Sequence, residues 1–364
     1  MTLPLATDSH MTDQPAKGAF HNLPLSRPAA PAAKDPEESL LLPGDRVPEF
    51  ILPDAETRLH NFYDRVRGRR AVLVLAANTA RQEQWDEIKG YADIALALDS
   101  AGVDLFIVTN DGVESMAMVS KAIPAPAVWL ADIKGVVNLA LRTGGKLDKS
   151  GLISLFLDSN QRVIAIKGAE PGHAPWALGV LRGLSGEAPL ALGTVAPVLI
   201  LPRVLDEEAC RRLLSQEGLS ITPAPIANPA EVEALSRLLL RRIGPEVDRV
   251  FSFDDFRFES LALRQEDAAA GSSALDRRRD NSDPETAGRS FALILDLDAG
   301  AYEGGGLRFP EYGPHLYRPA AGAALVHAGG ILRELLPVTS GRRSLLTLTL
   351  RRPPKASTQP KPLS

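Results

Sequence analysis

The sequence predicts two globular units in tandem, an α/β unit followed by an α+β unit built around an antiparallel jelly-roll barrel. Four observations carry this. A length of 364 residues suits two domains with tails. Residues 44–185 alternate short apolar runs with amphipathic segments. After two helical stretches, the residues beyond Val250 turn strand-like between glycine and proline turns. A composition of 45% hydrophobic and 24% charged residues belongs to an ordinary globular chain able to build real cores.

In chain order, residues 1–40 are rich in Pro, Ala and Ser and poor in large apolar side chains, and read as a disordered leader. The start, Met1 or Met11, stays open. Residues 41–186 form the first unit. AVLVLAA (71–77) and VDLFIVT (103–109) have the apolar continuity of buried strands, and Gln82–Leu98 carries Trp85, Ile88, Tyr91, Ala92 and Ile94 at helical spacing between them. APAVWLAD (125–132) is a further strand, Val136–Leu141 a short helix, and LISLFLD and RVIAIKG a hairpin across Ser159-Asn160-Gln161. A helix from Ala174 to Leu184 closes the unit. Strand, helix, strand, then hairpin and helix is thioredoxin-like order, its crossover helices forcing parallel strands.

Residues 187–195 read as a linker, and 196–352 as the second unit. A helix begins near Asp206 and another at Asn228, where Pro229 and Glu231 make a capping-box arrangement with proline at the first helical position. The strands FRFESLALR, SFALILDLD, AAGAALVHA and SLLTLTLR follow, as in a barrel fronted by helices. Residues 353–364 read as a loose tail.

Composition narrows the function classes. The net charge of −4 creates no field to recruit nucleic acid or an anionic membrane. No apolar run approaches the ~20 residues that span a bilayer, and the N-terminus lacks the basic and apolar regions of a secretory signal. A cytoplasmic protein is the expectation. The lone cysteine, Cys210, excludes an internal disulfide and a multi-cysteine zinc site. Its spacing from Leu213 and Leu214 places it on a buried helix face, as a small hydrophobe. Trp85, Trp129 and Trp176 read as core, Arg277-Arg278-Arg279 as a solvated or locally paired loop, and Gly304-Gly305-Gly306 as a turn between strands.

From Arg278 onward the chain reads R-R-D-N, then R-S-F-A-L-I-L-D-L-D, then Y-E-G-G-G-L-R-F-P-E-Y-G, and after these L-R-E-L-L-P-V-T and G-R-R-S-L-L-T-L. This order resembles the catalytic half of the prolyl 4-hydroxylase-like iron(II)/2-oxoglutarate dioxygenases. The resemblance implies a double-stranded β-helix, Fe(II) and 2-oxoglutarate as cofactors, Asp280 as the carboxylate ligand of iron, and Arg343 as the clamp on the far carboxylate of 2-oxoglutarate. The two positions at which the family carries iron-binding histidines hold Arg278 and Arg333. A guanidinium is donor-only and stays protonated, so it cannot ligate iron.

Three outcomes stay open from the residues. Arg278 and Arg333 pair with Asp280 and Glu334 in place of a metal cross-link; or Arg278, Arg333 and Arg343 form a metal-free pocket for a dicarboxylate; or catalysis persists in some rewired form. His327 and His315 are the nearest spare histidines, and His327 reads as a core or strand-face residue. The opening G-D-R-V-P-E-F-I-L-P-D-A-E (44–56) is similar to the start of peroxiredoxins of the alkyl hydroperoxide reductase type. Where that family needs a thiolate the chain reads A-A-N-T-A-R, so Thr79 and Arg81 stand where no peroxide can be reduced. The reading is a doubly degenerate enzyme fusion, a pseudoenzyme that binds or scaffolds a protein or small molecule. An active iron(II)/2-oxoglutarate hydroxylase is the alternative, and the partner and oligomeric state stay open.

Overall fold

The computed structural model describes residues 41–353 apart from 122, 124–125, 142–151, 185–190, 217–218, 220–221 and 270–273. The expected leader, part of the linker and all but the start of the expected tail lie outside the described residues.

The first unit opens with a small hairpin, β1 (Ile51–Pro53) and β2 (Leu59–Asn61), and a short helix α1 (Phe62–Val66) capped by the Asn61 side chain. Its central sheet is built from β3 (Arg70–Ala76), β4 (Val103–Thr109), β5 (Ala127–Ala131), β6 (Ile153–Leu157) and β7 (Val163–Lys167), in the order β5-β4-β3-β6-β7. The pairs β3–β4 and β4–β5 are parallel, while β3–β6 and β6–β7 are antiparallel. The crossovers run through α2 (Gln82–Ser100), α3 (Val113–Lys121) and α4 (Val136–Ala140), and α5 (His173–Gly183) follows the hairpin. This is the thioredoxin-like arrangement expected from the sequence. The apolar run in β3 is unbroken because both faces are covered. Val72, Val74 and Ala76 pack with Ile88, Tyr91 and Leu98 of α2, whereas Ala71, Leu73 and Leu75 pack with Phe62, Phe106 and Leu155 on the other side.

The second unit begins with β8 (Val198–Leu201), α6 (Glu207–Leu214) capped by Asp206, and the short β9 (Ala224–Pro225). Helix α7 (Pro229–Phe251) starts as expected, with Asn228 accepting from the Ala230 N–H and Pro229 in its first turn. The second arm of the expected capping box is diverted, because the Glu231 carboxylate accepts from Gln216 instead. The remaining strands are β10 (Arg257–Asp267), β11 (Asp276–Arg278), β12 (Arg289–Asp296), β13 (Tyr302–Gly304), β14 (Leu307–Arg308), β15 (Leu316–Tyr317), β16 (Ala324–Ala328), β17 (Arg333–Leu335) and β18 (Val338–Arg351).

They form two antiparallel sheets. The larger has the order β8-β16-β12-β18-β10-β9, with β13 joined to β18; the smaller has the order β11-β17-β14-β15. Period-two alternation splits the larger sheet between two cores. Leu293, Leu295, Val326, Leu346 and Leu348 face Leu235, Leu239, Ile243 and Val247 of α7. Ile294, Leu325 and Leu345 face Leu307, Phe309 and Leu335, so the two sheets enclose a thin second core. Among the described residues no helix is long and apolar enough to cross a membrane.

Candidate functional site

The residues singled out by sequence lie at the seam between the two sheets. Strands β11 and β17 pair antiparallel with Arg278 opposite Arg333 and Arg277 opposite Glu334. Alternation therefore puts Arg278 and Arg333 on one face and Glu334 on the other. The expected pairing with Glu334 is corrected by this register. Glu334 bonds Arg277 and Arg308, while Arg333 turns to Asp280 and Asp276.

The Arg333–Asp280 contact is two-pronged. Arg333 Nε donates to Asp280 Oδ2 at 2.8 Å and Nη2 to Oδ1 at 3.2 Å, the planar fork matched to a carboxylate. Arg278 Nε reaches Asp280 Oδ1 at 3.1 Å, and Arg333 Nη1 reaches Asp276 Oδ2 at 3.3 Å. Burial pushes the Asp280 carboxyl up, but Arg333 and Arg278 outweigh it and hold the group below the usual carboxylate range. Asp276 is held down in the same way by Arg333, Arg278 and Arg264, against its own burial.

His327 is fully buried on β16, at 5.3 Å centroid distance from the Phe309 ring. One ring nitrogen, Nδ1, lies 3.0 Å from the Ala328 carbonyl, while Nε2 sits without a hydrogen-bond partner 3.6 Å from Asp280 Oδ2. Burial depresses the imidazole to about 4, so the ring is neutral at physiological pH. The core placement expected for His327 holds. His315 lies beside Gly313.

The clamp candidate, Arg343, is 1% exposed on β18 directly opposite Glu266 on β10. Its Nη2 donates to Glu266 and, at 2.9 Å, to the Leu336 carbonyl; the guanidinium carbon stands 5.8 Å from the Tyr302 ring centre. Arg264 Nη2 also stands 2.8 Å from Glu266 Oε1 as an ion pair, and Arg264 Nη1 reaches Asp276 at 3.1 Å. The result is one ladder of alternating charge, Arg278–Asp280–Arg333–Asp276–Arg264–Glu266–Arg343. It joins the position where iron was expected to the position where 2-oxoglutarate was expected.

These residues do not fit the expected cofactors. Both oxygens of Asp280 are taken by guanidinium groups that offer no lone pair. Among the described residues, no group of three His, Cys, Asp or Glu side chains is placed to hold a metal ion. The cavity beside Arg343, lined by Asp296, Tyr302, Tyr317, Arg318 and Leu335 among others, has a volume of about 20 Å³. That is room for roughly one water rather than a dicarboxylate. Nor do the three arginines converge as an open anion pocket, since each is engaged by an internal carboxylate.

Sequence reasoning missed Asp276, Arg264 and Glu266. The signal was present: 264–267 reads R-Q-E-D and 341–344 reads G-R-R-S. Aligned antiparallel, these set Glu266 against Arg343 and Asp267 against Arg342, which are complementary cross-strand pairs.

Asp296, 6% exposed, accepts from the Tyr302 hydroxyl beside the same cavity. Burial, reinforced by Asp298 and opposed by Tyr302 and Arg343, pushes its carboxyl up to about 6. An acid raised on folding costs nothing below its unfolded pKa near 4. The cost grows as pH rises to about 6 and is constant above that. Asp296→Asn should therefore gain stability relative to the parent, on the order of 2 kcal/mol, between pH 4 and pH 7. Urea unfolding at both pH values checks this, and a pH-independent difference would exclude the raised carboxyl.

The first domain's candidate site is also plugged. Thr79 donates through its N–H and Oγ1 to Asp111 Oδ2, at 3.0 and 2.7 Å, and Arg81 takes the N-cap position of α2 without a side-chain cap bond. Cys210 lies in the other domain, buried on α6, where burial raises its thiol to about 11.

No protein-family model matches the chain, and no curated protein matches it. Solved structures similar to it include a peroxidoxin, BcpB, from Mycobacterium tuberculosis, at 19% identity with a TM-score of 0.37, covering 40% of this chain and 99% of that one. Reduced Prx3 from Vibrio vulnificus in complex with hydrogen peroxide is similar at 19% identity and a TM-score of 0.35, covering 39% of this chain and 99% of that one. A putative thioredoxin reductase from Burkholderia cenocepacia is similar at 17% identity and a TM-score of 0.35, with coverages of 40% and 99%.

Proposed function

We propose that residues 196–352 are a double-stranded β-helix of the prolyl 4-hydroxylase-like iron(II)/2-oxoglutarate dioxygenase type whose chemistry has been lost. On this reading the whole chain acts as a binding or scaffold protein. The observation that carries the reading is the two-pronged Arg333–Asp280 pair, which sits at two of the three positions of the expected metal triad and satisfies both without a metal. The Arg343–Glu266 pair supports it from the co-substrate side. An active hydroxylase would need ligands other than Arg278 and Arg333, and the nearby described candidates, His327 and Asp276, are not placed with Asp280 to hold a metal.

Anaerobic titration of the purified protein with iron(II) and 2-oxoglutarate, followed by calorimetry and by the visible charge-transfer band, separates the readings. The expected result is no heat and no band. The double substitution Arg278→His, Arg333→His should then gain divalent-metal binding without gaining 2-oxoglutarate, because Arg343 stays on Glu266. Heat and a band in the parent protein would restore the hydroxylase. Heat from 2-oxoglutarate alone, lost in Arg343→Ala, would favour a metal-free dicarboxylate protein.

A further inference from the structure

A catalytically empty first domain raises the question of what it does for the chain, and the surface between the two domains answers it. Helix α7 is two-faced. Leu235, Leu239, Ile243 and Val247 enter the barrel core, and Arg242, Glu246 and Arg249 form a polar stripe at the i, i+4, i+7 spacing on another side. Most of that stripe is withdrawn from solvent, since Arg242 is 3% and Glu246 0% exposed, while Arg249 at its end stays exposed. What covers it is the first domain, through residues 43–46 and the β6–β7 turn.

The contacts interlock in both directions of charge. Arg242 Nε meets Asp45 Oδ1 at 3.2 Å and its Nη2 donates to the Pro43 carbonyl at 2.9 Å; Arg241 also pairs with Asp45. In the opposite sense, Glu246 accepts from Arg46 Nη1 at 3.4 Å and from Asn160 Nδ2 at 3.2 Å. Arg249 reaches Asn160 Oδ1 at 2.7 Å, Arg203 pairs with Asp158, and Arg162 donates to the Arg242 carbonyl at 3.3 Å. Backbone packs as closely as side chains. Gly44, at φ +94°, lies where a Cβ would come within 2.2 Å of the Arg203 carbonyl oxygen, so only glycine fits there.

We propose that the first domain serves this chain as the docking partner of α7, and that the two domains fold and unfold as one unit. Its turn surface supplies acceptors (Asp45, Asn160 and the Pro43 carbonyl) to an arginine-rich helix, and Asp158 holds Arg203 beside it. Arg46 and Asn160 meet the one glutamate at the stripe's centre. Charge complementarity of alternating sign specifies register more than it adds raw affinity, because a shift by one helical turn sets arginine on arginine. The proposal does not depend on whether the barrel ever held iron.

The test uses the full chain with a protease site placed in the exposed residues 191–195. After folding and cleavage, the two pieces should co-elute on gel filtration at physiological salt, and calorimetry of the uncut protein should give one transition. Arg242→Glu should separate the pieces or split the transition in two. Pieces from the parent sequence that elute apart, each still folded, would overturn the proposal. So would two independent transitions in the uncut parent. The cleavage experiment on the parent decides the matter even if Arg242→Glu fails to fold.

Discussion

Replacing Arg333 by alanine is expected to lower the stability of the protein by about 3–5 kcal/mol at pH 7, the range seen when one partner of a buried ion pair is removed. Arg333 is 3% exposed, and its loss leaves Asp280, 8% exposed, with only the half-exposed Arg278. The urea midpoint should fall on the order of 1–2 M. The loss should depend on pH in a defined sense. With Arg333 present, the folded-state pKa of Asp280 is depressed. That contribution is complete above the unfolded value near 3.9, and it disappears as pH falls through the depressed folded value. Without Arg333, burial is opposed only by the half-exposed Arg278 and raises the same group relative to the parent, so protonation at acid pH relieves part of the penalty. The difference between parent and variant should therefore shrink between pH 7 and pH 4. Equal losses at both pH values, or a loss below about 1 kcal/mol, would sink the claim that Arg333 replaces a cross-link. An Arg333 waiting for an anion from outside predicts the reverse, a variant more stable than the ligand-free parent.

The sheets and helices were legible because apolar periodicity is local. The unbroken AVLVLA of β3 and the alternation in β12 each report directly on which faces are covered. The positions of Arg278, Asp280, Arg333 and Arg343 were also legible, since each sits in a recognisable phrase. Their partners were less so, because an ion pair across strands depends on register, and register is a tertiary fact. Glu334 follows Arg333 in sequence and looked like a partner of the cluster. Pleating turned it to the opposite face, onto Arg277 and Arg308. Glu266 is 77 residues from Arg343 and became its neighbour only through the β10–β18 ladder. The docking stripe of α7 was hidden for a similar reason. Arg242 and Glu246 look like solvent-facing charges on an amphipathic helix, and only the other domain's turn shows that they are buried.

The Glu266–Arg343 pair allows the most demanding test of a second unit filled from within. Both side chains are essentially inaccessible, at 0% and 1% exposure. Glu266→Ala leaves a buried guanidinium and Arg343→Met leaves a buried carboxylate on Arg264 alone, so each should cost about 3–5 kcal/mol. Replacing the two together, Glu266→Leu with Arg343→Met, removes both charges and should recover most of the loss. A double-mutant cycle built on the single Leu and Met replacements would then show a coupling well above the ~0.5 kcal/mol expected of independent sites. A ligand clamp behaves differently, because a clamp is held for a guest, and Arg343→Met without the guest should be tolerated. The two accounts also part on added ligand. If Glu266 is the built-in occupant, millimolar succinate or 2-oxoglutarate should raise the melting temperature of Glu266→Ala by mass action and leave the parent unmoved. Stabilisation of the parent by the same concentration would mean that the internal carboxylate yields to an external one, and the barrel would have to be read as a dicarboxylate receptor. No response in either protein, with the cycle still coupled, would leave the ladder purely structural, a core of alternating charge that closes the two sheets on each other without a guest.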